Sequence, residues 1–168
     1  AQKIVSKAEG HLVNLKDVKP SDRAEQIAKT TGKDPRHIET ILRETARVVR
    51  NQGPHLIVET HHGFVCANAG VDRSNAPDPD SVIILPSDPD RSARDIRNRV
   101  MELTRADVAV IISDTFGRAW RIGQVNVAIG VAGLQPVIDY RGSKDMFGYV
   151  LNVTQMAVAD ELASAAEL

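Results

Sequence analysis

Side chains able to do chemistry collect at three places in the 168-residue chain. In "VAVIISDTFGRAWR", residues 108–121, five apolar residues run into Ser113-Asp114-Thr115, and Arg118 and Arg121 then flank the single tryptophan, Trp120. A carboxylate at the end of a strand buried on both faces is costly unless it is paired or ligates a metal. Asp114 and Thr115 form the carboxylate-plus-hydroxyl pair that suits a nucleotide-bound Mg²⁺. Arg118 and Arg121 suit bidentate hydrogen bonds to a phosphate or a carboxylate. The competing reading is a turn or helix cap at Asp114 with two surface arginines. Trp120 reads as a packing residue.

The second place is "ANAGVDRSN", residues 67–75. Its small residues let the backbone turn tightly, and Asp72 and Asn75 follow three apart. Asp is a hard oxygen ligand suited to Mg²⁺ or Mn²⁺. An Asx-type turn, with both side chains bonding only local backbone, is the alternative. The third place is "QKIVSKAEG", residues 2–10, where Lys7 and Ser6 could present an ammonium and a hydroxyl to phosphate. Taken alone, the stretch reads better as a solvated strand end, and the glycine-rich phosphate loop ending in Gly-Lys-Ser/Thr is absent. Together, Asp72 and Asp114 are expected to converge on one divalent cation with Lys and Arg around it. That is the pattern of phosphoryl chemistry on a nucleotide, where positioning and charge neutralisation do most of the catalysis.

The elements that must position these groups follow from caps and periodicity. Residues 1–7 read as the end of a strand. Ser21 caps a short helix ending near Gly32, and Asp34-Pro35 starts another. Ile38, Ile41, Leu42, Thr45, Val48 and Val49 fall on one face at helical spacing, so that helix is expected to run on until Gly53-Pro54. "HLIVET" and "GFVCA" read as a hairpin through His61-His62-Gly63. A loop rich in Gly, Pro, Asn and Asp leads to the strand "VIIL". "SDPDRSARDIRNRVMEL" reads as a helix with Ile96, Val100 and Leu103 inward, and "DVAVIIS" as a buried strand. "VNVAIGVAG", "VIDY" and "YVLNVT" read as strands, and a final helix is expected from about Thr154. This mixture is α+β (mixed α/β) rather than a regular doubly wound sheet.

Composition bounds the function. The length suits one ordinary domain with a core. Charged residues make up 26% of the chain, and the net charge is -1. That gives no electrostatic reason to expect nucleic acid or an anionic membrane as partner. No apolar run approaches the roughly 18 residues that span a bilayer, and no signal peptide is visible, so a cytoplasmic protein is expected. Cys66 is the only cysteine, which excludes an internal disulfide and a thiolate zinc site. Aromatics are 4%, so Ile, Val, Leu and Ala must build the core. The opening Ala1-Gln2-Lys3 and the closing "ADELASAAEL", which has no Gly or Asn cap, read as cut ends of a longer protein.

The stretches "KIVSKAEG", "FVCANAGVDRSN", "LPSDPDRSA", "IISDTFGRAWRIGQ", "VAIGVAG", "DYRG" and "VTQMAVADELA" together resemble the coenzyme F420-0:γ-glutamyl ligase family, in the same order and over essentially the whole chain. The resemblance implies a two-lobed fold of mixed sheets with flanking helices, forming a homodimer. Residues 1–168 would be the core of a single such domain, with N- and C-terminal family segments missing. It implies a GTP-dependent ligase that adds L-glutamate to the deazaflavin precursor F420-0 through an acyl phosphate, and then adds γ-linked glutamates. It implies Mg²⁺ or Mn²⁺, with K⁺ as a further candidate. By resemblance Asp72 and Asp114 are metal ligands, Thr115 serves a second divalent ion, and Gln2, Lys7 and Asn75 contact GTP. Arg118 and Arg121 match the family motif, and their role as clamps is an inference from charge. Another metal-dependent phosphoryl-transfer enzyme and a non-catalytic deazaflavin-binding fragment stay open as alternatives.

Overall fold

The computed structural model describes residues 2–53 and 55–168. Its elements, in chain order, are α1 Gln2–Ala8, β1 Leu12–Asn14, α2 Asp22–Thr31, α3 Pro35–Arg43, β2 Thr45–Arg50, β3 Ile57–Thr60, β4 Val65–Ala67, β5 Ser81–Ile83, α4 Pro89–Thr104, β6 Val110–Arg118, β7 Arg121–Ala132, β8 Ile138–Asp139, β9 Gln155–Met156 and α5 Val158–Ala165. This is a mixed α+β architecture, as the sequence leads one to expect. The chain forms two compact units. The first runs to Asp88 and includes Phe116–Gly123, and the second comprises Pro89–Thr115 and Gln124–Leu168.

The first unit holds the larger core. Leu15, Ile27, Ile38, Ile41, Leu56, Val58, Val71 and Val82 pack into one buried cluster. Each fully buried Leu, Ile or Val is worth about 1.5–3 kcal/mol. As expected, the core is aliphatic. Helix α2 starts where Ser21 Oγ accepts from Ala24 N at 3.3 Å and stops at Gly32, whose φ of 70° suits glycine. Helix α3 starts at Asp34, whose Oδ1 accepts from Arg36 N at 2.9 Å, with Pro35 at its first position. Strands β2, β3 and β4 form an antiparallel sheet in that order, and β1 pairs antiparallel with β5. The β3–β4 hairpin turns through His61-His62-Gly63 as read from the sequence, with Gly63 N donating to Thr60 O at 2.9 Å.

Two expectations fail in this unit. Residues 2–8 are a helix, not a strand; Ala1 and Pro54 lie outside the described residues. Ser6 Oγ donates to Gln2 Oε1 one turn back at 2.9 Å, and Gly10, at φ 80°, follows the helix. The second failure is the length of α3, which ends at Arg43 instead of continuing to Gly53. Thr45, Val48 and Val49 fall at helical spacing, but β-branched side chains suit a pleated surface better. They enter β2, where Val48 faces Val58 of β3.

The second unit has a thinner core, with Ala93, Ile112, Ile129, Ala132, Ala159 and Ala163 buried. Alanines let backbones approach, and polar ties fix the elements. Asp90 Oδ1 accepts from Val131 N at 2.8 Å, and Asp160 Oδ1 accepts from Ala128 N at 2.8 Å. A Cβ on Gly130 would collide with the backbone of Pro89, so β7 requires glycine there. Strand β6 is not buried on both faces: only Ile112 is buried. It pairs with β7 alone among the described residues, so much of its surface is left open. Nor does it end at Asp114. It continues to Arg118, turns through Ala119-Trp120 and returns as β7. On α4 it is Ser92 and Ala93 that face inward, while Ile96 and Leu103 are exposed. "YVLNVT" makes only the bridge Lys144↔Val150, and the last helix starts at Val158. Among the described residues no helix is long and apolar enough to cross a membrane.

Candidate functional site

Backbone conformation aims the 72–75 loop. Asn68, Ala69 and Gly70 take φ values of 54°, 55° and 70°, three left-handed residues in succession. Small side chains and glycine make such a run tolerable. Asn68 Oδ1 steadies it by accepting from Leu56 N at 3.2 Å and from Lys33 Nζ at 3.1 Å. The chain then docks on β5. Asp72 N donates to Ile83 O at 3.0 Å, and Ile83 N donates to Asp72 O at 2.8 Å.

Both oxygens of Asp72 are engaged. Oδ1 accepts from Ser74 N at 2.8 Å, and Oδ2 accepts from Ser74 Oγ at 2.8 Å and from Lys3 Nζ at 2.6 Å. Asp72 thus forms the Asx-type turn weighed from the sequence, with a lysine contact added to it, whereas Asn75 takes part through its backbone carbonyl. Burial pushes the Asp72 carboxyl up, but the hydrogen bonds from Lys3 and Ser74 outweigh burial and hold it below the usual carboxylate range. Asn75 is held at φ 61° with its side chain exposed, and its carbonyl accepts from Lys7 Nζ at 3.4 Å. Lys3 and Lys7, one turn apart on α1, thus both reach this loop.

Gln2 lies on the neighbouring face of α1 and is 2% exposed. Its Oε1 is satisfied by Ser6, while its Nε2 has no hydrogen-bond partner among the described residues. Buried amide donors are rarely left unpaired without reason. Arg118 and Arg121 lie in the hairpin tip that belongs to the first unit. Both are exposed, and Arg118 Nη2 donates across the turn to Ile122 O. Phe116, in the same tip, meets Phe64 edge-on at 6.2 Å, and Phe64 stacks on His62 at 5.5 Å. Trp120 is fully exposed at φ 57°, contrary to its reading as a packing residue. Its place in a two-residue hairpin turn carries its ring away from any core.

In the second unit Asp114 is half-buried on β6, and Thr115 is exposed beside it. Thr115 Oγ1 donates to Asn126 Oδ1 at 2.9 Å, and Asn126 Nδ2 donates to Glu167 Oε2 at 2.9 Å. These three residues, with Gln124, Glu161 and Ser164, line a cavity of about 660 Å³. Sequence reading missed Asn126 and Glu167. They are 11 and 41 residues apart from their partners in this chain of bonds, and no local motif marks them.

Oxygen donors of this kind suit a hard cation. Mg²⁺ is usually held by one or two carboxylates, with substrate phosphates and water completing its shell. Among the described residues no group of three or more His, Cys, Asp or Glu side chains gathers around one point.

The fold is mixed α+β, with candidate carboxylates, hydroxyls and ammonium groups on a tight loop and one short helix of the first unit and on the β6–β7 hairpin. The family model described as F420-0:Gamma-glutamyl ligase matches residues 1–168, and the chain belongs to this family. It is 54% identical over 168 residues to a protein of Methanopyrus kandleri named coenzyme F420:L-glutamate ligase, covering 100% of this chain and 66% of the relative. Similar proteins of the same name occur in Methanothermobacter thermautotrophicus, with 51% identity and 66% of the relative covered, and in Methanocaldococcus jannaschii, with 46% and 67%. In both, all of this chain is covered. The chain spans about two thirds of the length of the relatives it matches.

Proposed function

We propose that the protein is a GTP-dependent ligase that joins L-glutamate to F420-0, first through an amide and then through γ-glutamyl bonds. The observation that carries this reading is family membership along residues 1–168, with relatives named for glutamate ligation to the coenzyme. The site chemistry supports it, since carboxylates and ammonium groups together are what a nucleotide–cation complex requires. An amide cannot form from two free ions without activation. A carboxylate oxygen of F420-0 attacks the γ-phosphorus of GTP, the bond to the β-phosphate oxygen breaks, and an acyl phosphate and GDP result. The glutamate amine, having lost its proton, attacks the acyl carbon. The C–O bond to phosphate breaks, and amide and inorganic phosphate leave.

Asp72 and Asp114 are assigned as ligands of a divalent cation, Mg²⁺ or Mn²⁺, and Thr115 as ligand of a second. When bound, such ions neutralise the charge that develops on the transferred phosphoryl group. Lys7 and Asn75 are assigned to GTP. So is Gln2, whose Nε2 has no hydrogen-bond partner among the described residues. Arg118 and Arg121 are assigned to the phosphate or the substrate carboxylate. Arg118 has to release Ile122 O to take part. K⁺ is included as a monovalent companion. We assign the reaction to the cytoplasm, the compartment that holds GTP and free glutamate.

Mass spectrometry of F420-0 incubated with the protein, GTP, Mn²⁺ and L-glutamate tests the reading. Products heavier by one glutamyl residue and then by more, appearing only when all four are present, are the expected result. GTP turnover with neither F420-0 nor glutamate required would instead mark a different phosphoryl-transfer enzyme.

A further inference from the structure

The contact at Asp72 that sequence does not disclose is Lys3. Its ammonium donates to Asp72 Oδ2 at 2.6 Å and to Ser74 Oγ, while Ser74 Oγ itself donates to the same Oδ2. A carboxylate oxygen and a hydroxyl oxygen therefore already hold a cation between them. The remaining oxygen, Oδ1, is turned toward Ser74 N. A divalent ion approaching Oδ2 would meet the ammonium, and two cations cannot share one oxygen at contact distance without strong repulsion. Lys3 can leave. Its side chain is 24% exposed, that of Asp72 is 44% exposed, and ion pairs open to solvent are weak. Lys7, one turn further along α1, faces the same loop through Asn75 O, so an anion reaching this face would find two ammonium groups.

We propose that Lys3 occupies, in the metal-free protein, the position at Asp72 Oδ2 and Ser74 Oγ that a divalent cation takes on binding, and that the displaced ammonium then serves the nucleotide phosphates. The inference rests on the assignment of Asp72 as a metal ligand and adds Lys3 as a positioning residue and Ser74 as an oxygen donor. It has a thermodynamic consequence. The cation alone must evict an ammonium that has nowhere better to go. When nucleotide is present the ammonium gains a new partner, so cation and nucleotide favour one another's binding through Lys3.

The test measures Mn²⁺ binding by electron paramagnetic resonance without nucleotide, and the dissociation constant of a non-hydrolysable GTP analogue at saturating Mn²⁺ by calorimetry. It uses the wild type, Lys3→Gln, Lys3→Met, Lys3→Arg and Asp72→Asn. Lys3→Gln should bind Mn²⁺ about three- to tenfold more tightly than wild type, because its competitor is gone. The same variant should bind the analogue about tenfold more weakly. Lys3→Arg keeps the charge and should stay near wild type in both. Lys3→Met retains the aliphatic stem and answers the same question if Gln disturbs α1. A purely structural lysine would weaken both ligands together. Unchanged or weaker Mn²⁺ binding in Lys3→Gln, with Asp72→Asn still losing the metal, overturns the exchange and leaves the metal assignment standing. Unchanged Mn²⁺ binding in Asp72→Asn removes that assignment and the exchange with it.

Discussion

At the residue scale, two acids are assigned different jobs in this chain. Asp34 is structural. It caps α3 and holds the Arg36 guanidinium at 2.7 Å. The hydrogen bond from Arg36 pulls its carboxyl down to about 2, against the opposing push of burial. A depressed folded value means that the stabilisation is fully present above the ordinary aspartate value of about 3.9 and is lost as pH falls through about 2. Asp34→Ala should cost roughly 0.5–2 kcal/mol at neutral pH through the lost cap. The deficit against wild type should close as the buffer is taken from pH 4 toward 2. Chemical denaturation across that range checks it, and a deficit that stays constant would show that the Asp34 carboxylate has no such role. Asp114 is assigned to chemistry instead. Asp114→Asn keeps shape and removes charge, so we expect a fall in kcat of about a hundredfold or more, with a melting temperature within a few degrees of wild type. An active, folded Asp114→Asn protein would remove Asp114 from the cation site.

At the element scale, the ANAG turn is what delivers Asp72 to β5. Gly70 combines a φ of 70° with close packing, since a Cβ there would lie 2.8 Å from Leu85 Cγ and Cδ2. Gly70→Ala should therefore destabilise by about 1–2 kcal/mol from backbone strain alone, with more added wherever Leu85 cannot move aside. Thermal melts read this directly, and an unchanged melt would show that the turn is not constrained as described. Elements with local signals were legible in the sequence. The caps at Ser21 and Asp34 and the turn at Gly63 each depend on residues a few positions apart. Helix α1 was not, because Ile4-Val5 looks like a strand and seven residues give periodicity little to work with. The end of α3 is not legible, because Val48 and Val49 fall at helical spacing by coincidence and only pairing with β3 reveals them as strand. The site divides in the same way. Asp72, Asn75 and Lys7 belong to short motifs that can be read locally. Lys3 meets Asp72 and Ser74 across 69 and 71 residues, and such a contact exists only once the chain has folded.

At the scale of the whole molecule, each unit exposes large apolar side chains. Trp120 and Ile122 in the first unit are fully exposed, and Met146 and Phe147 in the second are 89% and 88% exposed. Exposed apolar side chains favour association, and we propose that they serve the homodimer that the family resemblance implies. We expect light scattering to report a dimer. Trp120, as the only tryptophan, makes a built-in probe: its emission should shift to shorter wavelength as concentration rises through the dimerisation range. A monomer with water-exposed tryptophan emission at every concentration would count against the dimer.

We propose that F420-0 is activated as an acyl phosphate. F420-0 carrying ¹⁸O at both oxygens of its terminal carboxylate tests it most directly. Turnover with GTP, Mn²⁺ and L-glutamate, followed by mass spectrometry of the released inorganic phosphate, should show one labelled oxygen in each phosphate, because the oxygen that attacked the γ-phosphorus departs with it. Label that stays out of the inorganic phosphate while the glutamyl product forms would contradict the account.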